Sequence, residues 1–526
     1  MTDTEKHLEG GHGSASVSTL PAGTDLKRRE SHAHEYGTEV EMERNFSFLS
    51  CLGLAFAMLN SWNAMTASLQ LTLPSGGPVA VVWGLLVAAF GTMMNCISFA
   101  EVCNAFPMSG GQYDWTYIIV PAPFRGSLSF FVGWMATAGW ISLAATASQL
   151  GANYVAGIIA LWHPSFEIQT WQFFLLYVAF TLSSFLLNAF AVRLLPLVDR
   201  IAGLWGFIGF VTVAITLLAC SSGDFNSGEE VFTTFTNETG WPDGMAFMLG
   251  LLQSFFGLTG FEAVSHMIEE MPQPSKNAPK VMMTSVLLGS STAWIFLVIY
   301  LFVAQDLESV MTATTGPVLA VYHQATSSRT AATCLVMFNL GSMLFAGQGL
   351  TTIASRMVWS FARDRGMGPA SPWLGAVHPT FKSPLWAVVF VAFWILAFGC
   401  ISLGSSVALN AIVSASVVLL QISYIVPMAF LIVRGGDIYE GYEQSWSLGR
   451  WRRPINIIAM AFLLVTTVCF IFPPFIPVAG STMNYVIVVI GIVAVLCGAT
   501  WVIDGRKRFH GPGDLEERLA VARSAS

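Results

Sequence analysis

The chain has 526 residues, 54% of them hydrophobic and only 10% charged, with a formal net charge of −7. Soluble domains carry roughly a quarter charged residues, so this chain has too few to cover a water-facing surface and a water-soluble globule is excluded. Its eight cysteines form no CxxC pair and mostly fall in apolar stretches, as at Cys96, Cys334 and Cys497. They read as small packing residues, not as a disulfide framework or metal site.

In chain order, residues 1–45 come first. They are polar, rich in His, Glu and Lys, and have no apolar core, so they read as a disordered cytosolic tail without a cleavable signal peptide. Crossing about 30 Å of hydrocarbon takes about 20 mostly apolar residues. Qualifying runs lie near 47–71, 78–100, 127–160, 170–190, 196–219, 245–268, 280–303, 330–358, 384–402, 406–433, 454–474 and 483–503. The third and eighth are long enough to tilt or to extend past the bilayer. The expected fold is therefore an all-α polytopic membrane protein of about twelve helices. It spans residues 46–505 and is followed by a cytosolic tail at 506–526.

Charge placement tests this count. With the N-terminus cytosolic, alternate segments should collect Lys and Arg. Of the 24 basic residues, all but Arg329 fall in segments that this topology places inside, so both termini are expected in the cytosol. The loop at 220–244 opposes them with Asp224, Glu229, Glu230, Glu238 and Asp243 and no Lys or Arg. It also carries Asn237-Glu238-Thr239, a glycosylation acceptor if it faces the lumen or exterior.

Two spans carry interruptions. An unsatisfied polar group in lipid costs several kcal/mol, yet the first span reads Met58-Leu59-Asn60-Ser61-Trp62-Asn63 in its middle. Its polar side chains compete with helical backbone bonding. The sixth reads Phe255-Phe256-Gly257-Leu258-Thr259-Gly260-Phe261-Glu262, where two glycines ease departure from the helix. Spans one and six correspond if 47–219 and 245–433 are inverted five-helix repeats, with extra helices at 454–503. Paired interruptions in corresponding helices point to a midplane binding site. The alternative is that Asn60, Ser61 and Asn63 bond across a helix contact and that Gly257 and Gly260 permit close approach.

Several motifs resemble a known family. NSWNAM at 60–65 with LPSGGP at 73–78, AEVCNAFPMSGGQYDW at 100–115 and FNSGEEVFTTFTNETGW at 225–241 are similar to the amino acid–polyamine–organocation superfamily. The branch they resemble is its fungal amino-acid/choline permeases. EEMPQPSKNAP at 269–279, SRMVWSFARDRGMG at 355–368 and FPPFIPVAGSTMNYV at 472–486 extend the resemblance over roughly 45–510. It implies a five-plus-five inverted repeat with two extra helices, alternating access, proton coupling and no covalent chemistry. Choline, γ-aminobutyrate and other amino-acid permeases share the branch. Gly260-Phe261-Glu262 is closer to its general amine and amino-acid pattern than to choline carriers.

Glu262 is the carboxylate placed well inside an apolar segment, so it is read as a cation-binding or proton-carrying group; the alternative is a position near enough to the cytosol to reach water. Trp62, Phe255, Phe256, Phe261 and Tyr424 are aromatic candidates for holding an ammonium group. A zwitterion's carboxylate would sit near Asn63. Substrate contacts are thus expected at Asn60, Ser61, Trp62, Asn63, Phe256, Gly257, Glu262 and Tyr424. Glu101, Glu269 and Glu270 are expected to meet Lys276, Arg200 or Arg363 in an inner gate, or to be solvated helix ends. His266 is read as a proton relay or a surface residue, and Gln149 and Asn153 as pathway-lining or helix-bonding. The tail histidines His7, His12, His32 and His34 are read as part of a disordered polar tail, with metal binding as the alternative, and no cofactor or nucleic-acid partner is expected. The basic cluster at Arg450–Arg453 suits lipid headgroups. The expected location is the plasma membrane, with the vacuolar membrane as alternative. A nutrient sensor would carry a large signalling tail, and a membrane enzyme clustered His, Asp or Cys; neither is seen.

Overall fold

The computed structural model describes residues 48–404, 408–442, 444–479, 483–513 and 515. The expectations for the tail at 1–45, with its histidines, and for most of 506–526 lie outside the described residues. Among these residues, nine helices are long and apolar enough to cross a membrane. The other three segments expected to span are the first and sixth, each in two pieces, and the ninth, whose apolar part, Leu385–Ile401, is shorter.

The first segment is α1 (Phe48–Leu59) and α2 (Ser61–Ala67). Then follow α3 (Gly77–Ala105), the short α4 (Gln112–Ile119), α5 (Ala122–Trp162), α6 (Thr170–Phe190) and α7 (Leu195–Cys220). The second half has α8 (Asp243–Phe256), a 3-10 helix at Ala263–Glu270, α9 (Pro274–Val303), α10 (Pro317–Thr326), α11 (Arg329–Arg363), α12 (Leu385–Gly404) and α13 (Ala408–Arg434). Last come α14 (Arg452–Cys469) and α15 (Val486–Thr500). Proline opens α3, α5, α7, α9 and α10 in the first turn, where its missing N–H is no loss. At 41 residues, α5 is about 60 Å long, so it overshoots the bilayer as its sequence suggested.

Large apolar side chains lie on the surface as well as in the core. Phe90, Leu204, Phe207, Phe393 and Val495 face outward, whereas Asn95, Asn188, Gln421 and Thr466 are buried. Lipid solvates the apolar surface, so polar groups gain only where other helices can answer them. Asn188 does so by donating to the Gln348 carbonyl at 3.1 Å and accepting from Thr352 at 2.6 Å. In an 18-residue apolar stretch of α5, 78% of the residues are buried, against 17% in that of the last spanning helix, so α5 is central and α15 peripheral. Cys96 and Cys497 are packed as expected, but Cys334 is exposed and fills no core position.

Helices pack on their counterparts five positions later: α3 on α9, α5 on α11 and α6 on α12. The halves of the first and sixth segments join α3 and α9, through α2 with α9 and α8 with α3. Where α1 crosses α7, a Cβ on Gly203 would meet the Gly53 Cα at 2.8 Å, and a Cβ on Gly53 would meet the Asp199 carbonyl oxygen at 2.8 Å.

At the end of the bundle that carries the acidic loop, residues 226–241 form a strap. Asn226 donates to the Leu301 and Ala304 carbonyls at the end of α9. The Gly76 N–H donates to Thr236 and the Glu238 N–H to Pro74, before α3. The Ile476 N–H donates to Thr239, and the Trp241 indole to Pro473. Asn237 is wholly engaged: its amide donates to the Trp241 carbonyl and the Asp243 carboxylate, and its oxygen accepts from Thr239. A sugar on that nitrogen would remove a hydrogen from those bonds.

Gly53→Val is expected to lower stability by ~1–3 kcal/mol through overpacking. Gly491→Val, with no atom near its Cβ position, should leave the melting midpoint of the detergent-purified protein unchanged. Equal midpoints for the two variants would refute the close approach.

Candidate functional site

The backbone leaves the helix at both expected places. Asn60 sits between α1 and α2 at φ 44° and ψ 34°, a left-handed geometry that asparagine tolerates better than most residues. In the sixth segment α8 ends at Phe256, and Gly260 turns the chain with φ 92° before the 3-10 helix. A Cβ on Gly260 would also stand 2.8 Å from the Trp140 ring.

The two breaks hold each other. The Ser61 hydroxyl donates to the Gly257 carbonyl at 2.6 Å, and the Gln253 amide donates to the Met65 carbonyl at 2.5 Å. Asn63 accepts from Tyr154 at 2.5 Å and from Asn339 at 2.8 Å, and donates to the Asn339 carbonyl at 2.9 Å. Tyr322 donates to Asn339 at 3.1 Å. Trp62 is buried edge-on against Phe210 and Phe296. Ser61, Trp62, Asn63 and Gly257 thus fix the shape of the breaks.

A small hollow lies between the breaks, α5 and α11. Its walls include Met58, Asn60, Phe256, Thr259 and Met343, and its volume is about 20 Å³. That is room for about one water. Asn60 and Phe256 are the expected substrate contacts that line it. No Asp, Glu, Lys or Arg borders it, so its walls suit an apolar or aromatic-held group better than a bare anion.

Leu150 borders this hollow and also a larger cavity of about 360 Å³ toward the strap end, within the range of small-molecule sites. Gln149, Asn153 and Tyr154 line that cavity, with Gln70 and residues 313–319. Gln149 and Asn153 thus both border this cavity.

The opposite, basic end is closed. Glu269 accepts from Arg363 at 2.7 Å and from Ser109 at 2.8 Å. Glu270 pairs with Arg356 at 3.1 Å, both nearly inaccessible. Tyr113 of α4 donates to Asp364 at 2.8 Å. The segment before α4 therefore plugs the end between the 3-10 helix and α11. Glu269 meets Arg363 as anticipated, whereas Glu270 takes Arg356, which was not anticipated. Glu101 has a different neighbour again: Arg452 binds it with two bonds of 2.8 Å, while the Ser447 hydroxyl and Leu448 N–H also donate to it. Arg452 stacks over Tyr439 at 4.3 Å. Burial, and then the Glu101 charge, push the Tyr439 hydroxyl well above its ordinary range, so it stays neutral. Glu101 thus anchors α14 to α3.

Glu262 is fully buried, so it does not reach water. It lies apart from the hollow, accepting from the Gln112 amide of α4 at 2.7 Å. Tyr424 is its other polar neighbour, and that ring packs on Phe99 and Phe261. His266 is buried beside Trp140, with Nδ1 2.9 Å from the Ser109 carbonyl. Sequence reading missed Gln112, Tyr154, Gln253, Asn339 and Arg356. A polar residue in mid-span was the available signal for Asn339.

A family model described as amino acid permease matches residues 46–494. A choline transporter of Saccharomyces cerevisiae is 32% identical over 487 residues, covering 92% of this chain and 85% of that protein. A 7-keto 8-aminopelargonic acid transporter of the same organism is 28% identical over 515 residues, covering 87% of this chain and 91% of its own. The crystal structure of MhsT in complex with L-phenylalanine superposes with a TM-score of 0.53 at 11% identity, over 80% of this chain and 96% of that one. That likeness shows the fold.

Removing Arg356 strands a buried carboxylate, so Arg356→Ala should destabilise the protein by ~3–5 kcal/mol. The Arg363 pair is about one-third exposed, and Arg363→Ala should cost at most ~1 kcal/mol. Thermal unfolding in detergent measures both; the reverse order would refute the assigned burial. Asn60→Gly should keep the fold and Asn60→Ala should lose ~1 kcal/mol or more to left-handed strain.

Proposed function

The chain belongs to the amino acid permease family and is an integral membrane transporter, not an enzyme; from that premise we propose that it imports choline or a related small amine or amino acid, coupled to protons, by alternating access. The observation that carries this reading is the pair of broken spans, tied together through Ser61 and Gly257 beside an uncharged hollow that Asn60 and Phe256 border. Chain interruptions at mid-depth are tolerated only where they line a cavity or are covered by protein, and here they do both.

In this reading twelve spans place both termini and the basic end in the cytosol and the strap outside, at the plasma membrane. The larger cavity is then the external approach, and the structure is outward-facing with its inner gate shut. Phe256 with Met58 and Met343 forms a soft, apolar wall for a quaternary ammonium. Glu262, fully buried with the Gln112 amide donating to it, carries the coupling proton. Its acceptor bond from Gln112 of α4 links the state of the sixth segment to the plug at the cytosolic end. The relative named for an aminopelargonic acid favours an amino-acid substrate such as γ-aminobutyrate as the second reading.

Uptake of labelled choline, γ-aminobutyrate and amino acids in a permease-deficient host tests this. Accumulation of choline with competition by other amines is expected, and no accumulation of any compound would reject the reading. Glu262→Gln should abolish the dependence of uptake on external pH, with at least about a tenfold loss of gradient-driven accumulation; an unchanged pH profile would remove Glu262 from proton carriage.

A further inference from the structure

Beside the gate pair Glu270–Arg356 lies a second acid. Asp199, in the first turns of α7, is 1% exposed, as is Arg356, and Glu270 is 4% exposed. Asp199 lies on α7, which packs on α11, the helix of Arg356, and the 3-10 helix that ends in Glu270 packs on α11 as well; Asp199 stands within electrostatic reach of both. Arg356 donates through Nε to Glu270, while its Nη2 and the Asp199 Oδ2 are both buried without a hydrogen-bond partner.

Among the described residues, the neighbouring elements present no buried Lys or Arg besides Arg356. From α1 the facing titratable group is Cys51, which senses both acids. On α7 itself Arg200 is exposed, and on α9 Lys276 and Lys280 occupy exposed positions. On α11 Arg363 is committed to Glu269. An ionised Asp199 would therefore leave an uncompensated charge in a low-dielectric site, which a bound proton avoids.

We propose that Asp199, Glu270 and Arg356 form a proton-binding site at the inner gate. With the gate shut, Arg356 is held by Glu270 and Asp199 carries the proton. When the 3-10 helix withdraws Glu270 toward water, the free Nη2 of Arg356 turns to Asp199. Asp199 then releases its proton to the cytosol and takes one back on reclosing. The proton leaves and returns on the same side, so the site adds nothing to the driving force but makes gate opening sensitive to cytosolic pH, with opening favoured as pH rises. Naming that side rests on the orientation proposed above; the bound proton does not.

Infrared spectra of the purified protein at neutral pH test the site without any substrate. Wild type should show the carbonyl stretch of a neutral carboxylic acid that is lost in Asp199→Asn and kept in Glu262→Gln. Glu270→Gln should also lose it, because Arg356 then has Asp199 as its only acid; this second variant decides the matter if Asp199→Asn does not fold. A spectrum unchanged by Asp199→Asn overturns the proposal, as does a band that appears only when sodium is removed, which would place a metal ion there. Spin labels at Lys276→Cys and Trp373→Cys, with Cys220, Cys334 and Cys400 replaced by Ser, should move apart as pH rises, and should not in Asp199→Asn. A pH-invariant separation in both overturns the gating role. Neither measurement depends on a transported compound, so an empty uptake panel and a failure here are separate results.

Discussion

A peptide group in hydrocarbon has no water to turn to, and each one left unanswered costs several kcal/mol. A chain that interrupts two of its membrane helices must therefore answer the freed groups from within. Here each interruption supplies the other: the Ser61 hydroxyl of one meets the Gly257 carbonyl of the other, and Gln253 reaches back to Met65. The second-order support is equally local, with Asn63, Tyr154, Asn339 and Tyr322 drawn into one buried network. The irregular backbone persists because these bonds and the packing of Trp62 against Phe210 and Phe296 leave it little alternative.

The two ends of the bundle are built from different interactions. The basic end is shut by charge pairs of unequal depth, the Glu269–Arg363 pair partly wet and the Glu270–Arg356 pair dry. A partly solvated pair separates at little cost, whereas the dry one resists separation unless another group takes its place. The strap end is held by backbone and amide hydrogen bonds, which are short-ranged and insensitive to salt. Opening one end and not the other is thus a choice between two kinds of chemistry.

Sequence alone disclosed what depends on near neighbours. The polar cluster at Asn60–Asn63 and the glycines at 257 and 260 marked where the helices stop, because those choices are settled within one helical turn. It did not disclose partners supplied from afar. Gln112 comes to Glu262 from 150 residues away, and Arg452 to Glu101 from 351 away. Asp199, near the start of α7, has no neighbour in sequence that points to Glu270 or Arg356, each more than 70 positions on. Of the expected site, Asn60 and Phe256 face the hollow, while Ser61, Trp62 and Asn63 turn to the scaffold that shapes it. The direction of a side chain on a broken helix is fixed by what packs on it, and no local pattern carries that.

The strap at 226–241 links the end of α9, the turn into α3 and the 473–476 segment. Two of those points adjoin α9 and α3, which pack on each other, and the third follows α14, which packs on α3, so the strap ties together ends that already share contacts. The helix α10, which borders the larger cavity through Pro317–Leu319, receives none of the strap's hydrogen bonds named here. In the orientation proposed above, α10 and the neighbouring end of α5 would be the leaf of an external door, and the strapped half its frame.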